Sequence, residues 1–189
     1  MKTNLNTSSQ NGKNAKVNAT NAPIQASQLI KLLENELKDI FWAEKALTKA
    51  IPNMIKNATS IELIEVLCSR LDETNKQVER LAKIFAIIEK KPVAKKSEAM
   101  EELIKEADEI MESCEVGAMR DAGIISAAQK VGHYKTATYG TLCQYTETLG
   151  FSEAIRLLAA TLEEEKAADE KLSEVATSTT KIEAEEIKA

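Results

Sequence analysis

The amino-acid sequence predicts an all-α fold, an antiparallel four-helix bundle with a short additional helix between the second and third long helices. Three observations carry that expectation. Aromatic residues make up only 4% of the 189 residues, with 6 Gly and 3 Pro, whereas strands favour aromatic and β-branched residues and need frequent turns. Ala, Leu, Glu, Lys and Ile dominate instead, which is helix-forming composition. Apolar residues recur at spacings of three, four and seven along the chain. With 43% apolar and 29% charged residues, the chain has enough of each to bury a core and still dissolve.

Residues 1–24 are rich in Asn, Thr, Ser and Lys and nearly devoid of apolar side chains, so a disordered polar tail is expected there. The bundle domain is expected over residues 25–176, followed by a second polar tail over 177–189. The first helix carries Leu29, Leu33, Leu37, Ile40 and Leu47 and runs to about Ala50, where Pro52 is expected to bend or end it, with one further turn through Met54 and Ile55 as the alternative. Thr59-Ser60-Ile61-Glu62 reads as a capping box opening the second helix. Leu63, Leu67, Leu71, Val78, Leu81 and Phe85 form that helix's stripe, and Lys91-Pro92-Val93 breaks it.

A shorter amphipathic helix places Met100, Leu103, Ile104, Ala107, Ile110 and Met111 on one side. It lies where a bundle with one long connection puts its crossover. Ala118 to Leu149 make the third long helix, poor in large side chains. Gly150 is a natural C-cap and Ser152 a natural N-cap for the last helix, which repeats Ile155, Leu158, Leu162 and Leu172 on one face.

Composition also removes function classes. A net charge of −5, with an isoelectric point near 5.2, argues against a general affinity for nucleic acid, which rests on neutralising phosphates. No run approaches the ~18 consecutive apolar residues of a membrane span, and no apolar signal-peptide core opens the sequence, so a cytoplasmic location away from membranes is expected. Cys68, Cys114 and Cys143 are too few and too scattered for a disulfide framework or a CxxC metal knuckle, and are expected to be mostly buried thiols. The glycines form neither GxGxxG nor GxxxxGK[ST], so no phosphate-cradling loop is present.

Charged residues that share the apolar stripes are the most informative. Glu44 lies between Ile40 and Leu47, while Glu165 and Asp169 lie between Leu162 and Leu172. Arg70 and Glu73 stand beside Leu67 and Leu71, and Lys135 falls in the stripe Ile125, Ala128, Gly132, Tyr139 and Leu142. Burying any of these alone is costly unless it is paired or metal-bound. Any one acid could sit at a stripe's edge with its carboxylate in solvent, but that reading strains when applied to all four.

Acids projecting inward from several helices are the pattern of a di-metal carboxylate centre. Such centres use hard oxygen ligands, usually with His. The version with a Glu-x-x-His pair on each of two helices needs two histidines. This chain has only His133, preceded three residues earlier by Lys130, which excludes a His-paired centre. His133 lies about 100° round the helix from Gly132, on a small polar face with Gln129 and Thr136, and reads as a packing or hydrogen-bonding residue.

Several motifs together resemble the YciE/YciF family of ferritin-like bacterial proteins. They include Leu37-Lys38-Asp39-Ile40 with Ala43-Glu44-Lys45, and Leu71-Asp72-Glu73-Thr74 with Gln77-Val78-Glu79-Arg80-Leu81. Ala127-Ala128-Gln129-Lys130-Val131, His133-Tyr134, Tyr139-Gly140-Thr141-Leu142 and Thr161-Leu162-Glu163-Glu164-Glu165-Lys166 continue the match, which spans about residues 27–176. The resemblance implies a ferritin-like bundle that commonly forms a homodimer and is linked to bacterial stress responses without a settled activity. Phe41 and Trp42 could serve either the core or that interface.

Family members typically carry a His three residues before the helix-two Glu, where this chain has Arg70. They carry Glu-His-Tyr-Glu in the third long helix, where this chain reads Gly132-His133-Tyr134-Lys135. The expectation is therefore a degenerate centre with no cofactor and no catalytic residue, in which Arg70 and Lys135 form a charge network with Glu44, Glu73 and Glu165. The alternative is an iron or manganese centre held by Glu44, Glu73, Glu165, Asp169 and His133, acting in metal oxidation, storage or peroxide removal. A cation within about 4–6 Å of those acids opposes a divalent ion, which favours the first reading. No protein partner beyond a second copy is identified by any residue pattern, although the tails and the short helix are the places to look.

Overall fold

The structure, a computed structural model, describes residues 15–186, with side chains over residues 24–178. In order the helices are α1 (Ala15–Asn57), α2 (Ile61–Ile87), α3 (Glu98–Ser113), α4 (Ala118–Thr148) and α5 (Ser152–Glu186), with no strand among the described residues. None of them is long and apolar enough to cross a membrane.

Helix α1 packs on α2, α2 on α5, α5 on α4 and α4 back on α1, closing a four-membered ring with α3 laid against α1 and α4. Short turns join α1 to α2 and α4 to α5, the connection that makes antiparallel neighbours. The crossover is pinned at both ends. Lys95 N–H donates to Lys38 O at 3.1 Å near the lower part of α1, and Asn53 Nδ2 donates to Asp108 Oδ1 at 2.9 Å near its upper end. Helix α3 thus carries the chain back up the bundle so that α4 can descend beside α1.

Several expectations are corrected by packing. Helix α1 does not end near Ala50: of the two outcomes expected at Pro52 it takes the longer, continuing through Met54 and Ile55 to Asn57. Pro52 lacks an N–H and is exposed, while Ile51, Met54 and Ala58 around it are buried, so core contacts hold the last turns. The capping box is displaced by one residue: Ser60 is the N-cap, accepting from Leu63 N–H at 3.4 Å. Thr59 is held instead by the buried Asp121 of α4, which accepts from Thr59 N–H, Thr59 Oγ1 and Ser60 N–H at 2.7–2.8 Å.

At the other connection Gly150 has φ 78°, and its missing Cβ lets α4 end there as expected. Helix α1 starts at Ala15, inside the segment that composition assigns to a polar tail, of which residues 1–14 lie outside the described residues. Helix α5 likewise runs on past residue 176 to Glu186, with no Gly or Pro in that stretch to break it, and residues 187–189 lie outside the described residues.

The core face of α2 also differs from its apolar stripe. Leu63, Leu67, Arg70, Thr74, Gln77 and Leu81 are buried in an unbroken four-three rhythm, and Leu71 and Val78 are displaced to its flank. Helix α5 repeats the device with Ala154, Leu158, Thr161, Glu165, Ala168 and Leu172, leaving Ile155 and Leu162 half-buried. Polar groups therefore occupy the middle of both faces, with apolar packing above and below. The cysteines are not mostly buried: Cys68 is exposed, and Cys114 and Cys143 are half-buried.

Candidate functional site

Four helices contribute to a polar cluster in the middle of the core. Lys135 of α4 stands at its centre, completely buried. Its Nζ lies 2.8 Å from Glu165 Oε1 of α5 and 3.1 Å from Glu44 Oε2 of α1, and donates to Gln77 Oε1 of α2 at 2.8 Å. Arg70, two turns from Gln77 on α2, donates through Nη2 to Glu165 Oε2 at 2.6 Å. Tyr139, one turn from Lys135, donates its hydroxyl to Glu44 Oε1 at 2.7 Å.

A second tier lies outside this cluster. Gln77 Nε2 donates to Glu165 Oε1 at 2.9 Å and to Glu164 Oε2 at 3.0 Å. Arg80 grips Glu164 with both terminal nitrogens at 2.7 and 2.8 Å, the bidentate geometry that makes Arg–carboxylate pairs strong.

The charges balance in the interior: Lys135 and Arg70 against Glu44 and Glu165. Burial pushes Glu165 up, but Lys135 and Arg70 together overcome it and hold its carboxyl down at about 2. At Glu44 burial prevails over the attraction of Lys135, the Glu165 carboxylate adds to the rise, and its pKa lies above the usual value. Tyr139, buried and facing Glu44, is pushed well above the ordinary phenol range. Tyr139 is thus a hydrogen-bond donor at any physiological pH.

The remaining candidate residues sit elsewhere. Glu73 is at the rim, its Oε2 3.6 Å from Arg70 Nη1 and its Oε1 accepting from Ser69 Oγ at 3.4 Å. His133 projects outward, with 67% of its side chain exposed, and its Nε2 lies 3.2 Å from Asp169 Oδ2. The five residues weighed as metal ligands therefore divide into two interior acids, one rim acid and an outer pair. No group of three or more His, Cys, Asp or Glu among the described residues is placed to hold a metal ion.

This donor set does not fit a divalent cation, because the Lys135 ammonium stands between the two interior carboxylates that would have to bind it. Gln77, Tyr139 and the Arg80–Glu164 tier belong to the site although none of them is a charge on an apolar stripe. The signal was present: Gln77 follows Arg70 by seven residues, and Tyr139 follows Lys135 by four.

Residues 28–185 match the family described as Domain of unknown function (DUF892). Protein YciF of Escherichia coli (strain K12) is 43% identical over 141 residues, covering 74% of this chain and 85% of that protein. The chain belongs to the YciE/YciF family. The crystal structure of the E. coli stress protein YciF aligns with a TM-score of 0.79 at 40% identity, over 81% of this chain and 97% of that one. YcfI from Rhodopseudomonas palustris aligns with a TM-score of 0.74 at 44% identity, over 77% of this chain and 92% of that one. The fold is accordingly the all-α, ferritin-like bundle of the YciE/YciF family, and the buried polar cluster occupies its centre.

Proposed function

We propose that this YciE/YciF-family chain is a stress-associated protein without a catalytic reaction, in which an internal charge network stands where a ferritin-like bundle would carry metals. The position of Lys135 carries the reading. Its ammonium lies within 3.1 Å of both interior carboxylates, with Arg70 closing the other side of Glu165. The relative whose name includes "stress protein" supports the biological setting.

The network's work is structural. Glu44, Arg70, Lys135 and Glu165 come from four different helices, so the set is satisfied only when all four meet at one level. In some proteins buried ionic groups fix one alignment over competing ones, and that is the role assigned to this network. The protein acts as a cytoplasmic homodimer, and the rim acid Glu73 tunes Arg70 from outside the core.

Elemental analysis of protein purified without chelator, beside thermal melts with and without iron or manganese, tests the reading. Metal far below one ion per chain and an unchanged melt support it. About two ions per chain with a clear rise in melting temperature, as ligand binding to the folded state requires, would overturn it in favour of the iron or manganese centre. Sedimentation of a species of twice 20.8 kDa is the expected result for the dimer.

A further inference from the structure

Lys135 is a completely buried amine with two carboxyl groups against it, Glu44 Oε2 at 3.1 Å and Glu165 Oε1 at 2.8 Å. The two acids differ as partners. Arg70, at 2.6 Å, and Lys135 together hold Glu165 as a carboxylate, which is a poor electrophile. Glu44 shares Lys135 with it, and burial favours the neutral acid there. Glu44 Oε1 accepts from the Tyr139 hydroxyl at 2.7 Å, and Lys135 Nζ donates to Gln77 Oε1 at 2.8 Å. An amine fixed against a carboxyl group in this way gains the effective molarity of well-oriented reactants, up to about 10⁵–10⁸ M.

We propose that Lys135 and Glu44 condense, after the chain has folded, into a buried amide that ties α1 to α4. The step balances without a co-reactant. One proton passes from the Lys135 ammonium to Glu44 Oε2, leaving a free amine and a carboxylic acid. Nζ attacks Glu44 Cδ, and the Tyr139 hydroxyl steadies the charge that develops on Oε1. Glu165 Oε1 takes a second proton from Nζ and returns it to Oε2, the Cδ–Oε2 bond breaks, and water leaves. The partners of the product are already in place. Its carbonyl oxygen, Oε1, keeps Tyr139, its N–H keeps Gln77, and the Arg70–Glu165 pair that remains is neutral. Glu44, Lys135 and Tyr139 are each at 0% exposure, so the reverse reaction lacks the water it needs. The bond rests on the metal-free reading of this centre, whose ion pair is its precursor, and it is a single reaction of the chain with itself, not a turnover.

The intact mass of the full-length protein, measured fresh and after prolonged incubation below its melting temperature, tests the proposal. The expected result is an incubated chain lighter by one water, with the tryptic peptide that carries Glu44 joined to the one that carries Lys135. Lys135→Arg keeps the charge but removes the amine, and is expected to keep its full mass. If that variant fails to fold, Tyr139→Phe takes its place and is expected to slow the loss of water on the order of 100-fold. An incubated wild-type chain at full mass, water lost with the two peptides still separate, loss at the wild-type rate in either variant, or a link from Lys135 to Glu165 would each overturn the bond. Elemental analysis of the same sample keeps the two readings apart. Full mass without metal overturns the bond alone, whereas full mass with bound iron or manganese overturns the metal-free centre as well.

Discussion

Glu44 and Glu165 sit at the same level of the core and are equally buried, at 0% and 1% exposure, yet their carboxyls are driven in opposite directions. On the α2–α5 side, Glu165 meets two cations and a Gln77 amide. On the α1–α4 side, Glu44 shares Lys135 with Glu165 and otherwise faces the Tyr139 hydroxyl, while its Oε2 has no hydrogen bond of good geometry. Burial is thus common to both, and the number of facing cations decides the outcome. The side with Arg70 is the tightly held half of the network.

The comparison can be broken most severely at the residue both halves share. Lys135→Ala is expected to destabilise the fold by about 3–5 kcal/mol, since removing one partner leaves buried carboxylates uncompensated. Chemical denaturation measures this, and a wild-type midpoint would dissolve the network as a unit. Next in size is the contrast between the two acids. Glu165→Gln breaks contacts to Arg70 and Lys135 and is expected to cost about 2–3 kcal/mol, whereas Glu44→Gln removes a charge that burial already disfavours and is expected to cost under about 1 kcal/mol. Equal losses in the two variants would show that Arg70 does not distinguish them.

The acid limb of the stability profile sharpens the same point. Glu165 is depressed from 4.5 to about 2, so its contribution is complete above 4.5 and is lost as pH falls toward 2, a loss of up to about 3 kcal/mol. Glu165→Gln should therefore flatten the profile between those values. Glu44 is shifted upward, so the folded state holds its proton more firmly and stability declines as pH rises through the raised value. Glu44→Gln should remove that decline, so its small cost should narrow as pH rises above 4.5, as urea midpoints across a pH series would record.

The smallest effect is expected outside the core. His133→Ala breaks an exposed contact with Asp169, and a change below about 1 kcal/mol in the same assay is expected. A larger loss would move that outer pair from the surface to the centre of the account.

Much of the fold was legible in the residues themselves. Leu33, Leu37, Ile40 and Leu47 mark the core face of α1, Gly150 marks the α4–α5 turn, and the short helix is found at the crossover. Legibility failed where packing overrides local chemistry. Pro52 reads as a stop, but Ile51, Met54 and Ala58 carry α1 past it. Thr59 reads as a cap, but Asp121 arrives from sixty-two residues away to take its hydrogen bonds. Leu71 and Val78 read as core because an apolar stripe was assumed to be continuous, when Arg70, Thr74 and Gln77 hold those places.

The sequence by itself determined the class of the fold, the number and order of the helices, and that Glu44, Arg70, Lys135 and Glu165 share a face with the core, though it put Glu73 and Asp169 there too and passed over the buried Asp121. Those properties depend on periodicity within one helix, where residues three and four apart are neighbours whatever lies opposite. Only the tertiary structure decided that Lys135 stands between Glu44 and Glu165, that Arg70 reaches one acid and not the other, and that His133 and Asp169 meet on the outside. Those outcomes depend on distances across helices and on exclusion of water, and an electrostatic interaction takes its strength from both. Neither can be read along a single chain until the faces have met.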